Sequence, residues 1–184
     1  MKHLKLTALL ASLFTLTALP AQAGEVRLGV AKHDISDRES GFDIQFEYVF
    51  GRMPEYSGRR WGIRPYLVGV TNTDGYIDFG GAGLQPEIAF RENWFAEFQL
   101  GVVGHNGRTE LPPANMPVER QRILDTERTY GCDALFHLAP AIGRKVSENM
   151  SVAFYWEHLS HGQVFCSGKN EGLDNFGVRV GYQF

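Results

Sequence analysis

From Glu25 onward the chain repeatedly alternates apolar and polar residues, and this two-residue period limits the fold more than any other feature of the sequence. Successive side chains of a strand point to opposite sides, so alternation means a sheet with two unlike faces. The pattern is fullest near the end of the chain. Met150, Val152, Phe154, Trp156, His158 and Ser160 share one face, while Ser151, Ala153, Tyr155, Glu157 and Leu159 share the other. After a polar loop it resumes with Asp174, Phe176, Val178, Val180, Tyr182 and Phe184 against Asn175, Gly177, Arg179, Gly181 and Gln183. If these two strands pair as an antiparallel hairpin, the end of the first lies beside the start of the second. His158, Ser160 and Asp174 then converge at one rim, on the apolar face.

Eight such segments can be counted, with no helical period over any long window. Val26, Leu28 and Val30 mark the first apolar face, and Phe42, Ile44, Phe46, Tyr48 and Phe50 the second, opposite Asp43, Gln45 and Glu47. Trp61, Ile63, Pro65 and Leu67 mark the third. The fourth falls within residues 76–90, with Leu84, Pro86, Ile88 and Phe90 opposite Gln85 and Glu87. Trp94, Ala96, Phe98, Leu100 and Val102 give the fifth, opposite Glu97 and Gln99, and Cys132, Ala134, Phe136 and Leu138 the sixth. The terminal hairpin supplies the seventh and eighth. Residues 118–128 are expected to form a short helix in a long loop.

Alternation alone does not say which face is inside. A soluble eight-stranded barrel turns its apolar face inward, and an outer-membrane barrel turns it to the lipid. The polar face decides for the membrane, because Asp43, Gln45, Glu47, Arg64, Glu87, Glu97, Gln99, Glu157 and Arg179 carry both signs and can pair within a narrow lumen. Tyr48, Phe50, Trp61, Phe90, Trp94, Tyr182 and Phe184 gather at strand ends, as an interfacial girdle requires. Short turns at residues 91–93 and 144–149 place that rim in the periplasm, and the long polar loops at 106–126 and 161–173 outside. The expected fold is therefore an all-β, eight-stranded antiparallel transmembrane barrel of the outer membrane.

The first residues agree with export. Lys2 and Lys5 precede an apolar run over residues 6–19 and then Pro20-Ala21-Gln22-Ala23, the form of a cleaved secretory signal. Removing residues 1–23 leaves one domain, residues 24–184, and moves the formal charge from −3 to −5. That mild acidity, with no clustered basic surface, argues against nucleic acid as a partner. Cys132 and Cys166 would face an oxidising compartment near one rim, where a loop-tethering disulfide is the expectation and two unpaired thiols the alternative. Phe184, with Tyr182, Val180, Val178 and Phe176 behind it in alternation, resembles the C-terminal signal read by the barrel-insertion machinery.

The rim residues have the types an ester hydrolase needs: a nucleophilic oxygen in Ser160, a base in His158 and an orienting carboxylate in Asp174. His-x-Ser is a weak pattern by itself and gains weight from its place on a lipid-facing strip, where polar groups are costly unless they are interfacial or functional. The ending resembles that of lipid A 3-O-deacylases of the PagL family, which have a His-x-Ser pair near the end of the penultimate strand of an eight-stranded barrel. The resemblance is carried by His158-Leu159-Ser160 and by Asn170-Glu171-Gly172-Leu173-Asp174. It implies Ser160 as nucleophile, His158 as base, Asp174 at the position usually held by a catalytic Glu, and Asn170 as an oxyanion-hole residue aided by a backbone N–H near Ser160 or His161. It also implies lipid A of lipopolysaccharide as substrate, no cofactor, and an outer-membrane location in which a homodimer is admissible. Three features depart from the family: Asp for Glu at 174, His161 where Asn is common, and the cysteine pair.

Other readings make different demands. A metal site built from Glu157, His158 and His161, with His105 or His137, fails because His158 and His161 point to opposite faces of a strand. A non-enzymatic barrel, serving as adhesin, receptor or structural protein, would make His158 and Ser160 incidental. A soluble periplasmic lipid-binding barrel would place the apolar faces inside.

Overall fold

The alternating residues sort by side without exception along the strand Phe42–Val49: Phe42, Ile44 and Phe46 are 58%, 43% and 46% exposed, whereas Asp43, Gln45 and Glu47 lie at or below 1%. Apolar side chains therefore face out and charged ones in, the reverse of a soluble barrel. The computed structural model describes residues 24–164 and 166–184, so the signal segment 1–23 lies outside the described residues. Its strands are β1 (Glu25–Lys32), β2 (Phe42–Val49), β3 (Trp61–Asn72), β4 (Phe79–Ala89), β5 (Trp94–His105), β6 (Ala134–Lys145), β7 (Met150–Ser160) and β8 (Leu173–Gln183). Each pairs antiparallel with its sequence neighbour, and β1 pairs with β8, which closes the barrel and leaves no open edge.

Closure creates an interior that charges can occupy only in pairs. Arg27 Nη1 donates to Glu97 Oε1 at 2.8 Å and its Nε to Glu25 Oε1 at 2.9 Å. Arg179 Nη1 donates to Glu47 at 2.6 Å and its Nη2 to Glu97, and Arg64 Nη1 reaches Glu25 at 2.7 Å. Gln85 and Gln99 bridge the same carboxylates. Lipid cannot solvate these groups, so they solvate one another across strands far apart in sequence.

One rim carries the short turns at 90–93 and 146–149 together with the longer 50–60 link, and there Phe184 N–H donates to Gly24 O at 3.1 Å. Aromatic rings collect there: Tyr48 meets Phe50 edge-on at 4.7 Å, and Trp61, Phe90, Trp94, Tyr182 and Phe184 are exposed. The opposite rim carries the long loops, including a helix α1 (Pro117–Thr126) that begins with proline at its first turn and buries Ile123. The helix stops short of Arg128, whose side chain is drawn down to the rim. The sixth strand starts at Ala134, not at Cys132 as the alternation implied. Gly131 takes a positive φ of 73°, which breaks the extended run, and Cys132 is buried toward the neighbouring loop.

Candidate active site

At the loop-bearing rim the end of β7 lies against the start of β8, and His158 stands directly opposite Asp174. Their side chains are 27% and 34% exposed, on the outer wall. His158 Nδ1 lies 2.8 Å from Asp174 Oδ1, and its Nε2 lies 3.0 Å from Ser160 Oγ. With Nδ1–H donating to the carboxylate, Nε2 is left to accept the Ser160 hydroxyl proton. Direct opposition supplies the closeness that an Asp, shorter than Glu by one methylene, needs to reach the ring.

The inner face of the same hairpin holds this pair in register. Glu157 and Asn175, each one residue along, are also direct partners, and Asn175 Nδ2 donates to Glu157 Oε2 at 3.1 Å and to Asp43 Oδ2 at 2.8 Å. The backbone of Asp174 is fixed as well, its carbonyl accepting from Ile35 N–H at 2.9 Å. On the outer face the Trp156 ring lies 5.7 Å from the His158 ring. Gly172, at a φ of 61°, leaves room for the imidazole: a Cβ there would fall 3.3 Å from His158 Cε1.

The loop leading into β8 is clamped from outside the strands. Arg128 Nη1 donates to Gly172 O at 2.7 Å and Glu171 O at 3.1 Å, while its Nη2 meets Asp34 Oδ1 at 2.6 Å. Burial opposes the Arg128 charge, but Asp34 outweighs it and holds the guanidinium above its ordinary value. Burial would likewise raise Asp34; hydrogen bonds from Arg128, Ser36 and the Glu39 and Ser36 amides reverse that and hold its carboxyl well below the usual range. Glu171 is also lowered, burial being outweighed by Arg38, the Thr129 N–H and Lys169. Arg128, Asp34 and Asn175 carry no local sequence signal for this work, because the Arg128 bonds reach across 43 residues of chain or more and Asn175 meets Asp34 across 141. Gly172 stood within the quoted motif, but its contact with His158 is visible only in three dimensions.

The remaining expected residues lie beside this group. Asn170 Oδ1 accepts the His161 N–H at 3.2 Å, which leaves the Asn170 amide nitrogen as the donor of that pair. The His161 ring turns inward, its Nε2 toward Lys169 O at 3.2 Å and its Nδ1 accepting from Gln163 N–H at 3.1 Å. Cys132 and Cys166 are joined as a disulfide with Cα atoms 6.2 Å apart, tying the 161–172 loop to the approach of β6. Cys132, His161 and Cys166 cluster closely enough to suit a cation, but the disulfide occupies both sulfurs.

The family model for lipid A 3-O-deacylase (PagL) matches residues 70–183, more than half of the chain. The chain belongs to the PagL family. Among solved structures, a crystal structure of the outer-membrane enzyme PagL superposes with a TM-score of 0.61 at 14% identity, covering 86% of this chain and 98% of that one. A de novo designed transmembrane β-barrel matches at 0.56 and 8% identity, over 90% and 98%, and Neisserial surface protein A at 0.51 and 8%, over 89% and 98%. These structural likenesses speak to the fold: a closed eight-stranded barrel of the outer-membrane kind. A search of curated proteins gives no match. The PagL model spans β4 to β8 completely, so it includes His158, Ser160, Asn170 and Asp174.

Proposed function

We propose that this PagL-family barrel removes the ester-linked 3-O-acyl chain of lipid A, with Ser160 as nucleophile, His158 as base and Asp174 as the group that orients it. The observation that carries the reading is the continuous relay Asp174–His158–Ser160, at 2.8 and 3.0 Å, on the outer wall. Ser160 Oγ attacks the ester carbonyl as its proton passes to His158 Nε2, and the imidazolium formed is stabilised by Asp174. His158 then returns the proton to the departing sugar oxygen, leaving an acyl-serine. Water, deprotonated by the same imidazole, releases the fatty acid. The Asn170 amide nitrogen is the candidate donor to the oxyanion, a contribution worth about a hundredfold or more in rate. A site on the outside of the wall lets the acyl chains remain in the bilayer while the ester sits at the interface, and the chemistry calls for no metal or organic cofactor. The terminal Phe184 is the residue we assign to recognition by the insertion machinery.

The test is the mass of lipid A from a Gram-negative host making the protein, beside one making equal folded barrel with Ser160→Ala. Loss of one 3-linked hydroxyacyl group only with intact Ser160 supports the reading. Loss in both strains removes Ser160 as nucleophile. An unchanged lipid A in both, in a host whose lipid A is a substrate for another PagL enzyme, turns the reading toward a non-enzymatic barrel.

A further inference from the structure

At the rim opposite the relay, Arg144 occupies a position that the alternation reserves for lipid. It follows Ile142 on the outer face of β6, and Ile142 is 48% exposed. Its register partner is Trp94, also outward, and the guanidinium lies over the indole with its carbon 6.0 Å from the ring centroid. A cation on the lipid-facing strip is tolerated only at headgroup depth. A cleft of 490 Å³ opens there, lined by Arg91, Glu92, Asn93, Trp94 and Arg144. Glu92 is the only carboxylate lining the cleft.

The two arginines differ from the guanidinium groups inside the barrel and from those that clamp the loop beneath the relay. Arg27, Arg64 and Arg179 are matched by carboxylates inside, and Arg38 and Arg128 by carboxylates at the far rim. Among the described residues neither Arg91 nor Arg144 forms an ion pair with a carboxylate, and the contact of the Arg144 guanidinium is the Trp94 ring. Their outward setting, the indole beside them and the excess of positive charge describe a site for a phosphate held at the membrane interface, which a planar guanidinium grips through paired N–H donors.

We propose that this cleft binds the phosphate of an anionic glycerophospholipid in the periplasmic leaflet, with Arg144 and Arg91 as its ligands and Trp94 as the ring on which the headgroup region rests. The proposal uses the orientation given by the short turns, and it is independent of the deacylase reading, whose residues lie at the other rim. A zwitterionic lipid brings its own ammonium to the cluster and binds less well than phosphatidylglycerol. The experiment is native mass spectrometry of the refolded barrel with equal phosphatidylglycerol or phosphatidylcholine, folding being verified by heat-modifiable migration. The wild type retains phosphatidylglycerol in excess, and the excess shrinks with added salt. Arg91→Gln with Arg144→Gln lowers it at least about tenfold, as expected for two headgroup-level cations, while Arg122→Gln on α1 does not. Equal retention of the two lipids by the wild type overturns the proposal even if the double variant does not fold, and so does an unchanged excess in the folded double variant.

Discussion

The barrel contains two carboxylate–imidazole–hydroxyl relays that share one strand, β7, which carries His158 and Ser160 on its outer face and Glu157 on its inner face, and they differ in what surrounds them. Outside, Asp174, His158 and Ser160 lie in line on the wall, with the histidine and aspartate about one-third exposed. Inside, Glu157 Oε1 accepts from His137 Nε2 at 2.8 Å, and His137 Nδ1 accepts from the Tyr66 hydroxyl at 2.7 Å. His137, Tyr66 and Glu157 are at most 1% exposed, and Glu157 is further engaged by Gln45 and Asn175. Hydrogen-bond geometry is thus shared, but only the outer relay ends in an aliphatic hydroxyl that a substrate can approach. The inner one is saturated and closed, and its yield is rigidity beneath the outer one.

Breaking that contrast gives a graded set of outcomes. Ser160→Ala removes the proposed nucleophile and should lower turnover by about 10⁶-fold, the loss typical of serine hydrolases, with heat-modifiable migration unchanged. Asp174→Asn keeps the shape but favours the wrong imidazole tautomer, and should lower kcat about 10⁴-fold with little change in KM. Gly172→Ala meets both the positive φ and the His158 ring, so kcat should fall about tenfold through displaced geometry, together with about 1 kcal/mol of stability measured by urea unfolding in lipid vesicles. Tyr66→Phe reverses the pattern: turnover stays within about twofold, while the loss of a buried hydrogen bond lowers stability by about 1 kcal/mol. A large loss of turnover in Tyr66→Phe would show that the two relays are coupled.

The smallest effect concerns pH at the loop-bearing rim. Burial would lower the His33 pKa, but hydrogen bonds and charge from Asp43 and Glu39 outweigh it and raise it to about 9; Tyr76 stacks beside the ring at 6.0 Å. A histidine raised when folded contributes stability that is full below its unfolded value of about 6.5 and is lost as pH climbs through the folded value. Hydrogen exchange in residues 33–41, corrected for intrinsic rates, should therefore hold steady to about pH 6.5 and accelerate severalfold past pH 9. The Asp34–Arg128 clamp has the opposite sign. It is present above the ordinary carboxylate range and loosens only in strong acid, because Asp34 is held low.

Much of this molecule was legible before folding. Strict alternation across Phe42, Ile44 and Phe46 against Asp43, Gln45 and Glu47 marked strand and face, and charges of both signs on the polar faces, Arg64 and Arg179 among them, turned those faces inward, since lipid and lumen make opposite demands on neighbouring residues. The parity of His158, Ser160 and Asp174 put them on one outer face because side-chain direction repeats every two residues. Cys132 misled as a strand marker, since its alternation continued past a glycine whose backbone had already turned.

Residue order alone settled the period, the faces and the kinds of chemistry available on each, because these are properties of neighbours along the chain. Only the closed barrel decided that His158 would face Asp174 with no residue of slip, that Arg128 would reach back to Asp34 and Gly172, and that one relay would be open and the other sealed. Register and closure are set by the sum of many cross-strand contacts, and a contact between residues far apart along the chain leaves no trace in the local pattern that either one shows.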